Sequence, residues 1–247
     1  MISDYIAGNA TLVEVLLCIP IVLIALSVHE CAHGYAAYKM GDPTARNFGR
    51  LTLNPIKHLD PIGTICMLFL GFGWAKPVPV NVRNFNKPKK GMALTALAGP
   101  LSNLLLALLG VLFLSVLDIV YLTVPSLNES LPFGAIGVWQ LSLLDGATMA
   151  YKLYWVLGNF FYLFHILNIS LAIFNLLPIP PLDGSRLAML YLPDKLYFKL
   201  MQYEQIIQLV LLVGLFTGVL SKPLGYLAVG LSDLMFYIHE FLVGLAL

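Results

Sequence analysis

Residues 27–35 read SVHECAHGY and place His29, Glu30 and His33 inside an otherwise apolar run that starts near Leu12. On a helix, positions i and i+4 lie about 40° apart in azimuth and one turn apart in height. His29 and His33 therefore point the same way and can grip one metal ion. Glu30 is displaced by about 100° around the axis, where it reaches a water on the ion without ligating the ion itself. This H-E-x-x-H arrangement supplies two imidazole ligands and a general base. Zinc lowers the pKa of its water toward ~7, and the glutamate takes the proton as the water attacks a carbonyl. Ionisable groups inside a spanning helix cost about 2–3 kcal/mol each or more and mark function. A purely interhelical hydrogen-bond cluster is the weaker reading of the three residues.

A catalytic zinc needs a third protein ligand and one open position. The candidates are His58, Asp60, His165, Asp183 and His239, with some lone carboxylates behind them. Asp183 leads and His165 is second. Asp183 sits in NLLPIPPLDGS (175–185), where Pro178, Pro180 and Pro181 stop the preceding helix and unwind the backbone. Unwound backbone at membrane depth is tolerated only where protein or a wet cavity surrounds it. His33 lies about five residues, or ~8 Å of rise, from the end of its own helix, so the two depths can match. His165, Asn168 and Asn175 fall within about 80° of one another on their helix, which makes either a cavity wall or an interhelical hydrogen-bond ladder. His58 and Asp60 read first as a structural turn around Pro55 and Pro61, with a supporting metal contact as the alternative.

The elements that must carry these groups are membrane elements. Of the 247 residues 59% are hydrophobic and only 11% charged, and mean hydropathy is +0.85. Soluble domains carry about a quarter charged residues. The expectation is a single domain over 1–247, with a core at about 12–192 and a C-terminal helical hairpin at about 203–246. The fold class is all-α and polytopic, with five to six transmembrane helices and a short re-entrant or β-strand element near residues 63–86. Apolar stretches of spanning length, ~20 residues, occur at 12–38, 91–122, 147–177, 203–220 and 223–246. Residues 63–74 are too short to span, and KPVPVNVRNF (76–85) alternates like an edge strand able to pair with an unwound substrate. Five spans put 12 of the 14 basic residues on one side, which the positive-inside rule assigns to the cytoplasm. The net charge of +1 names no partner, and nothing points to nucleic acid. Cys18, Cys31 and Cys66 read as buried thiols rather than a disulfide framework. The N-terminus has no basic region of the signal-peptide kind.

HECAH in one helix and NLLPIPPLDG in a later segment together resemble the site-2 protease family, peptidase family M50, in its compact bacterial and archaeal branch. The second motif, N-x-x-P-x-P-x-L-D-G, is matched at Asn175, Pro178, Pro180, Leu182, Asp183 and Gly184. AGPLSN (98–103) resembles the family's G-P-x-x-N motif, and LNPIKHLDPIGT (53–64) resembles a segment of the compact branch. The resemblance implies one catalytic Zn2+ held by His29, His33 and Asp183, with Glu30 as the base. It implies that Asn175 assists at the reaction centre, by donating to the oxyanion or positioning substrate. It further implies an integral, multi-pass protein of a prokaryotic cell membrane, its site opening toward the cytoplasm, that cuts transmembrane proteins or peptides in or near the lipid bilayer. Two other functions compete: a catalytically weak relative acting as a membrane-protein binding or quality-control module, and a metal transporter. The intact Glu30 speaks against the first. The absence of an internal repeat speaks against the second.

Overall fold

The computed structural model describes residues 11–70, 73–124 and 146–246. In chain order its helices are α1 (Leu12–Lys39), α2 (Thr44–Asn47), α3 (Pro61–Leu70), α4 (Pro88–Thr123), α5 (Met149–Leu176), α6 (Asp183–Ala188), α7 (Asp194–Gln202), α8 (Glu204–Phe216) and α9 (Ser221–Ala246). No sheet occurs among the described residues, and α1, α4, α5 and α9 are each long and apolar enough to cross a membrane. The protein is an all-α, polytopic membrane protein.

α4 is the centre of the bundle, packed against α1, α5 and α9. Its buried face is rich in small residues, among them Ala93, Ala96, Gly99, Ala107 and Gly110, which let neighbouring backbones approach closely where lipid removes the hydrophobic drive between helices. Polar groups face inward and apolar ones outward. Asn103, Asn159, His165 and Asn168 are wholly buried, whereas Leu105, Phe113, Val116 and Leu153 are more than half exposed. Inside a bilayer this is the stable arrangement, because a buried polar group can reach protein partners that lipid does not offer.

The side-chain bonds between helices fix their directions. Asn103 on α4 meets Ala25 on α1 and Asn168 on α5. Further along α4, His165 of α5 donates from Nδ1 to the Ala107 carbonyl and accepts at Nε2 from Ser232 of α9. At the far end Asp118 takes a hydrogen bond from Tyr154 at 2.7 Å and pairs with His239 at 3.3 Å. α4 and α9 thus run parallel, and α1 and α5 run the opposite way.

Among the described residues four helices are long and apolar enough to cross, and the span expected at 203–220 is not among them. Residues 203–220 do not form a crossing helix: α8 has 13 residues, about 20 Å, against a hydrocarbon core of about 30 Å. A turn follows it, with Gly218 at φ +71°. α9 consequently starts at the same end of the bundle as α4, and Lys222 joins the basic residues there. Thirteen of the 14 basic residues then lie at that end, Lys152 being the exception.

The strand expected at 76–85 is also corrected. The segment is extended only to Asn81, Val82–Asn84 forms a 3-10 turn, and among the described residues the β-type pairing is an isolated bridge just before it, between Leu59 and Ala75. Pro77 and Pro79 have no N–H to give a ladder. The N–H groups of Lys76, Val78 and Asn81 are bonded to the His58 carbonyl, Glu30 and Asp42, so little of the edge is open to another strand. Residues 63–70 belong to α3, whose first turn is held by Asp60 Oδ1 accepting from Gly63 N–H at 2.8 Å. The stretch 123–146 lies almost wholly outside the described residues.

Candidate functional site

α1 is a single helix across its histidines. It is opened by a capping box in which the Thr11 hydroxyl accepts from Glu14 N–H and the Glu14 carboxylate accepts from Thr11 N–H. The 3.6-residue period stacks His29 and His33 with ring centroids 4.5 Å apart. α5 ends at Leu176, and the proline-rich turn after it delivers Asp183 to the first position of α6. Gly184 makes that turn possible: a Cβ there would run into the carbonyl oxygens of Leu176 and Leu177.

The three groups meet. His29 Nε2 and His33 Nε2 are 3.0 Å apart, and each is 3.2 Å from Asp183 Oδ2. The other nitrogen of each ring is already engaged. His33 Nδ1 donates to the Thr95 carbonyl at 2.7 Å, and His29 Nδ1 donates to Asn103 Oδ1 at 2.6 Å. The Ala25 carbonyl can only accept, so it sets the Asn103 amide with Nδ2 toward Ala25 and Asn168 and Oδ1 toward His29. Both tautomers are thereby fixed with the Nε2 lone pairs converging on the carboxylate. Three acceptors in a triangle with 3.0–3.2 Å edges fit a tetrahedral cation with bonds of about 2.0–2.2 Å, whose ligand–ligand edges are about 3.3–3.6 Å. Only a few tenths of an ångström separate the two. The donor set, two imidazoles and one carboxylate, is that of a catalytic zinc site with an open position.

α4 reaches this centre because residue 99 is glycine. A Cβ at Gly99 would lie 2.5 Å from His33 Cε1 and Nε2 and 2.6 Å from His29 Cε1. A cavity of about 330 Å³ opens beside the triangle. Glu30 lines it without joining the ligand set, and its Oε2 accepts from Val78 N–H at 2.8 Å. Asn175 lines it too, with Nδ2 donating back to the Leu171 carbonyl at 2.9 Å. Arg186, one turn after Asp183 on α6, is a further wall, and its guanidinium rests against the Met92 sulfur at 3.8 Å.

The structure thus brings together His29, His33 and Asp183, and places Glu30 and Asn175 on the same cavity. The other candidate ligands lie elsewhere. His165 bonds α4 to α9, His239 pairs with Asp118, His58 is bound to the Thr52 carbonyl and Asp60 caps α3. Asn103, at the end of the AGPLSN segment, does two things: its Nδ2 ties α4 to α1 and α5, and its Oδ1 orients His29. Thr95 and Val78 act through backbone atoms, which leave no signature in side-chain identity. Asp42 is a further supporting residue: wholly buried, it accepts from Thr44, Asn81 and Asn84 and so anchors the segment that holds Glu30.

Comparison with known proteins gives a match between residues 17–221 and the family described as Peptidase family M50. The chain is 44% identical over 191 residues to the Bacillus subtilis (strain 168) protein named "Putative zinc metalloprotease YwhC", covering 77% of this chain and 76% of that one. It is 32% identical over 92 residues to "Putative zinc metalloprotease Rip2" of Mycolicibacterium smegmatis (strain ATCC 700084 / mc(2)155), covering 35% of each. No solved structure matches the chain.

Proposed function

The chain belongs to peptidase family M50, and we propose that it is a zinc endopeptidase that hydrolyses peptide bonds of transmembrane proteins or peptides within or near the bilayer. The observation that carries this is the convergence of His29 Nε2, His33 Nε2 and Asp183 Oδ2 on one point, with both Nδ1 atoms tied down and Glu30 on the adjoining cavity wall. When bound there, zinc supplies Lewis acidity that polarises a carbonyl and acidifies water.

The protein's own part is positioning and proton transfer. Val78 N–H holds one oxygen of Glu30, leaving the other to take a proton from the attacking water as its oxygen bonds to the scissile carbonyl carbon. The same carboxyl then returns that proton to the departing amine, so the products are one carboxylic acid and one amine. Asn175 has a second amide N–H beyond the one given to Leu171, and this N–H serves the carbonyl oxygen or the substrate backbone. Pro77, Val78 and Val80 line the cavity in which the substrate backbone lies. Thirteen of 14 basic residues at the zinc end of the spans support a cytoplasmic location of that end by the positive-inside rule, from which water would reach the site.

The test is Glu30→Gln in purified protein presented with a candidate transmembrane substrate. Zinc content should stay at one per chain while cleavage falls about 10²–10⁴-fold, the usual contribution of a general base. Cleavage at the wild-type rate would remove Glu30 from the role.

A further inference from the structure

A second cavity, of about 230 Å³, lies between the last turn of α1 and the first turn of α4. Lys39, Lys87 and Lys90 line it together with the Asn86 side chain, and no acidic residue does. Its floor is closed by a backbone hydrogen bond from Asn86 N–H to the Met40 carbonyl at 3.3 Å. α4 begins here without a side-chain cap and with Pro88 in its first turn, so the positive end of a 36-residue helix faces the same space. Three lysines and a helix start thus surround one hollow whose lining, among the described residues, carries no acidic side chain.

Its place in the fold identifies the anion. Lys39 ends one spanning helix and Lys87 precedes another, so the cavity sits at the level where lipid headgroups meet water. An exposed apolar path leads away from it along α4 through Leu94, Leu101 and Leu105, and Tyr35 stands exposed on α1 beneath Lys39. Leu94 itself lines the cavity. We propose that this cavity binds the phosphate headgroup of an anionic phospholipid, with an acyl chain lying along the Leu94–Leu105 face. Basic pockets between membrane helices recognise such headgroups, and each lysine contributes about fivefold in affinity. The site adjoins the zinc cavity: Gly91 lines one and Met92, the next residue, lines the other. A lipid seated here braces the start of α4 and the 81–86 loop.

The experiment is native mass spectrometry of the intact chain released from neutral detergent, titrated with phosphatidylglycerol, with phosphatidylcholine, or with inorganic phosphate. The variant Lys39→Gln/Lys87→Gln/Lys90→Gln is compared with Lys57→Gln/Lys195→Gln/Lys199→Gln, which removes equal charge elsewhere. The proposal expects phosphatidylglycerol to bind the wild type well above phosphatidylcholine. It expects a loss of about 100-fold in the cavity variant and little change in the control. Each single substitution should cost about fivefold, which keeps the test decisive if the triple variant misfolds by circular dichroism or elution volume. Equal losses in both triple variants, or equal binding of the two lipids, would overturn it. Inorganic phosphate binding as tightly as phosphatidylglycerol would also overturn it, by making this a free-anion site.

Discussion

Replacing Gly99 with alanine puts the packing of α4 against the two histidines to a direct test. The added methyl would stand 2.5–2.6 Å from the imidazole atoms, about 1 Å inside the 3.4 Å at which ordinary contact begins. A flexible side chain would swing away at little cost. These rings cannot, because His33 Nδ1 is held by the Thr95 carbonyl and His29 Nδ1 by Asn103. Either a ring turns and loses its bond, or α4 recedes by about 1 Å and takes Thr95 and Asn103 with it. Overpacking of this kind costs about 1–3 kcal/mol of stability, and disturbing the partners of ligating histidines costs about 10–100-fold in metal affinity. A misplacement of about 1 Å adds a loss of ~10² in turnover. The assay is zinc content after dialysis against a graded chelator, together with cleavage at saturating zinc. Gly110→Ala is the control on the same helix, since its methyl would meet neighbours at 3.2–3.3 Å, a strain of only tenths of an ångström. Normal zinc retention and normal cleavage in Gly99→Ala, or equal damage in both variants, would refute the reasoning.

Asn103→Leu should lower zinc affinity about 10–100-fold by freeing His29 Nδ1, with the helical content seen by circular dichroism unchanged. Asp42→Asn should leave zinc bound but lower both cleavage and thermal stability, the latter by about 1–3 kcal/mol for a buried carboxylate's hydrogen bonds. Burial alone would raise the Asp42 carboxyl, but hydrogen bonds from Thr44, Asn84 and Asn81 hold it below its ordinary value. A depressed carboxylate contributes stability above the unfolded value of about 3.9 and loses it as pH falls through the folded one. The melting difference between wild type and Asp42→Asn should therefore be full near neutral pH and close in acid; a pH-independent gap would count against it. Four spans predict that Ser221→Cys and Lys76→Cys, in a chain with Cys18, Cys31 and Cys66 replaced, react with an impermeant thiol reagent from one side of the membrane. Thr148→Cys should react from the other, and opposite labelling of Ser221 and Lys76 would restore a fifth crossing.

The parts of the site that sequence makes legible are those in which side-chain type and spacing carry the chemistry. His29, Glu30 and His33 announce themselves because charge inside an apolar helix demands a reason. Asp183 is harder: depth and the broken backbone favour it, but the residues alone leave His165 in contention, and only the packed helices show His165 bonded to Ala107 and Ser232. Val78 and Thr95 contribute an N–H and a C=O, which every non-proline residue owns, so no pattern could single them out. The fifth span fails for a related reason. Hydropathy reports that 203–220 is greasy, but a Thr-Gly turn within it shortens the helix, and composition does not register where a helix stops. Orientation of the last helix then follows from Ser232 and His239, whose partners lie more than sixty residues away in the chain.

The two halves of the chemistry rest on different supports. His29 and His33 are fixed by α4 through Thr95, Gly99 and Asn103, and Asp183 by the turn after α5, so the cation depends on the helical bundle. Glu30 shares a helix with the histidines, but its carboxylate is aimed by Val78, and Val78 is held in place by a loop whose anchor is Asp42. Damage to the bundle should therefore remove metal and activity together, whereas damage to the loop should remove activity and spare the metal. The extended segment that aims the base also walls the cavity that substrate must enter. On the proposed mechanism, a substrate pressing on Pro77–Val80 would shift Val78 N–H, and with it the oxygen of Glu30. The proposed base is thus aimed by the same segment that lines the cavity, an arrangement that would tie proton transfer to an occupied cavity.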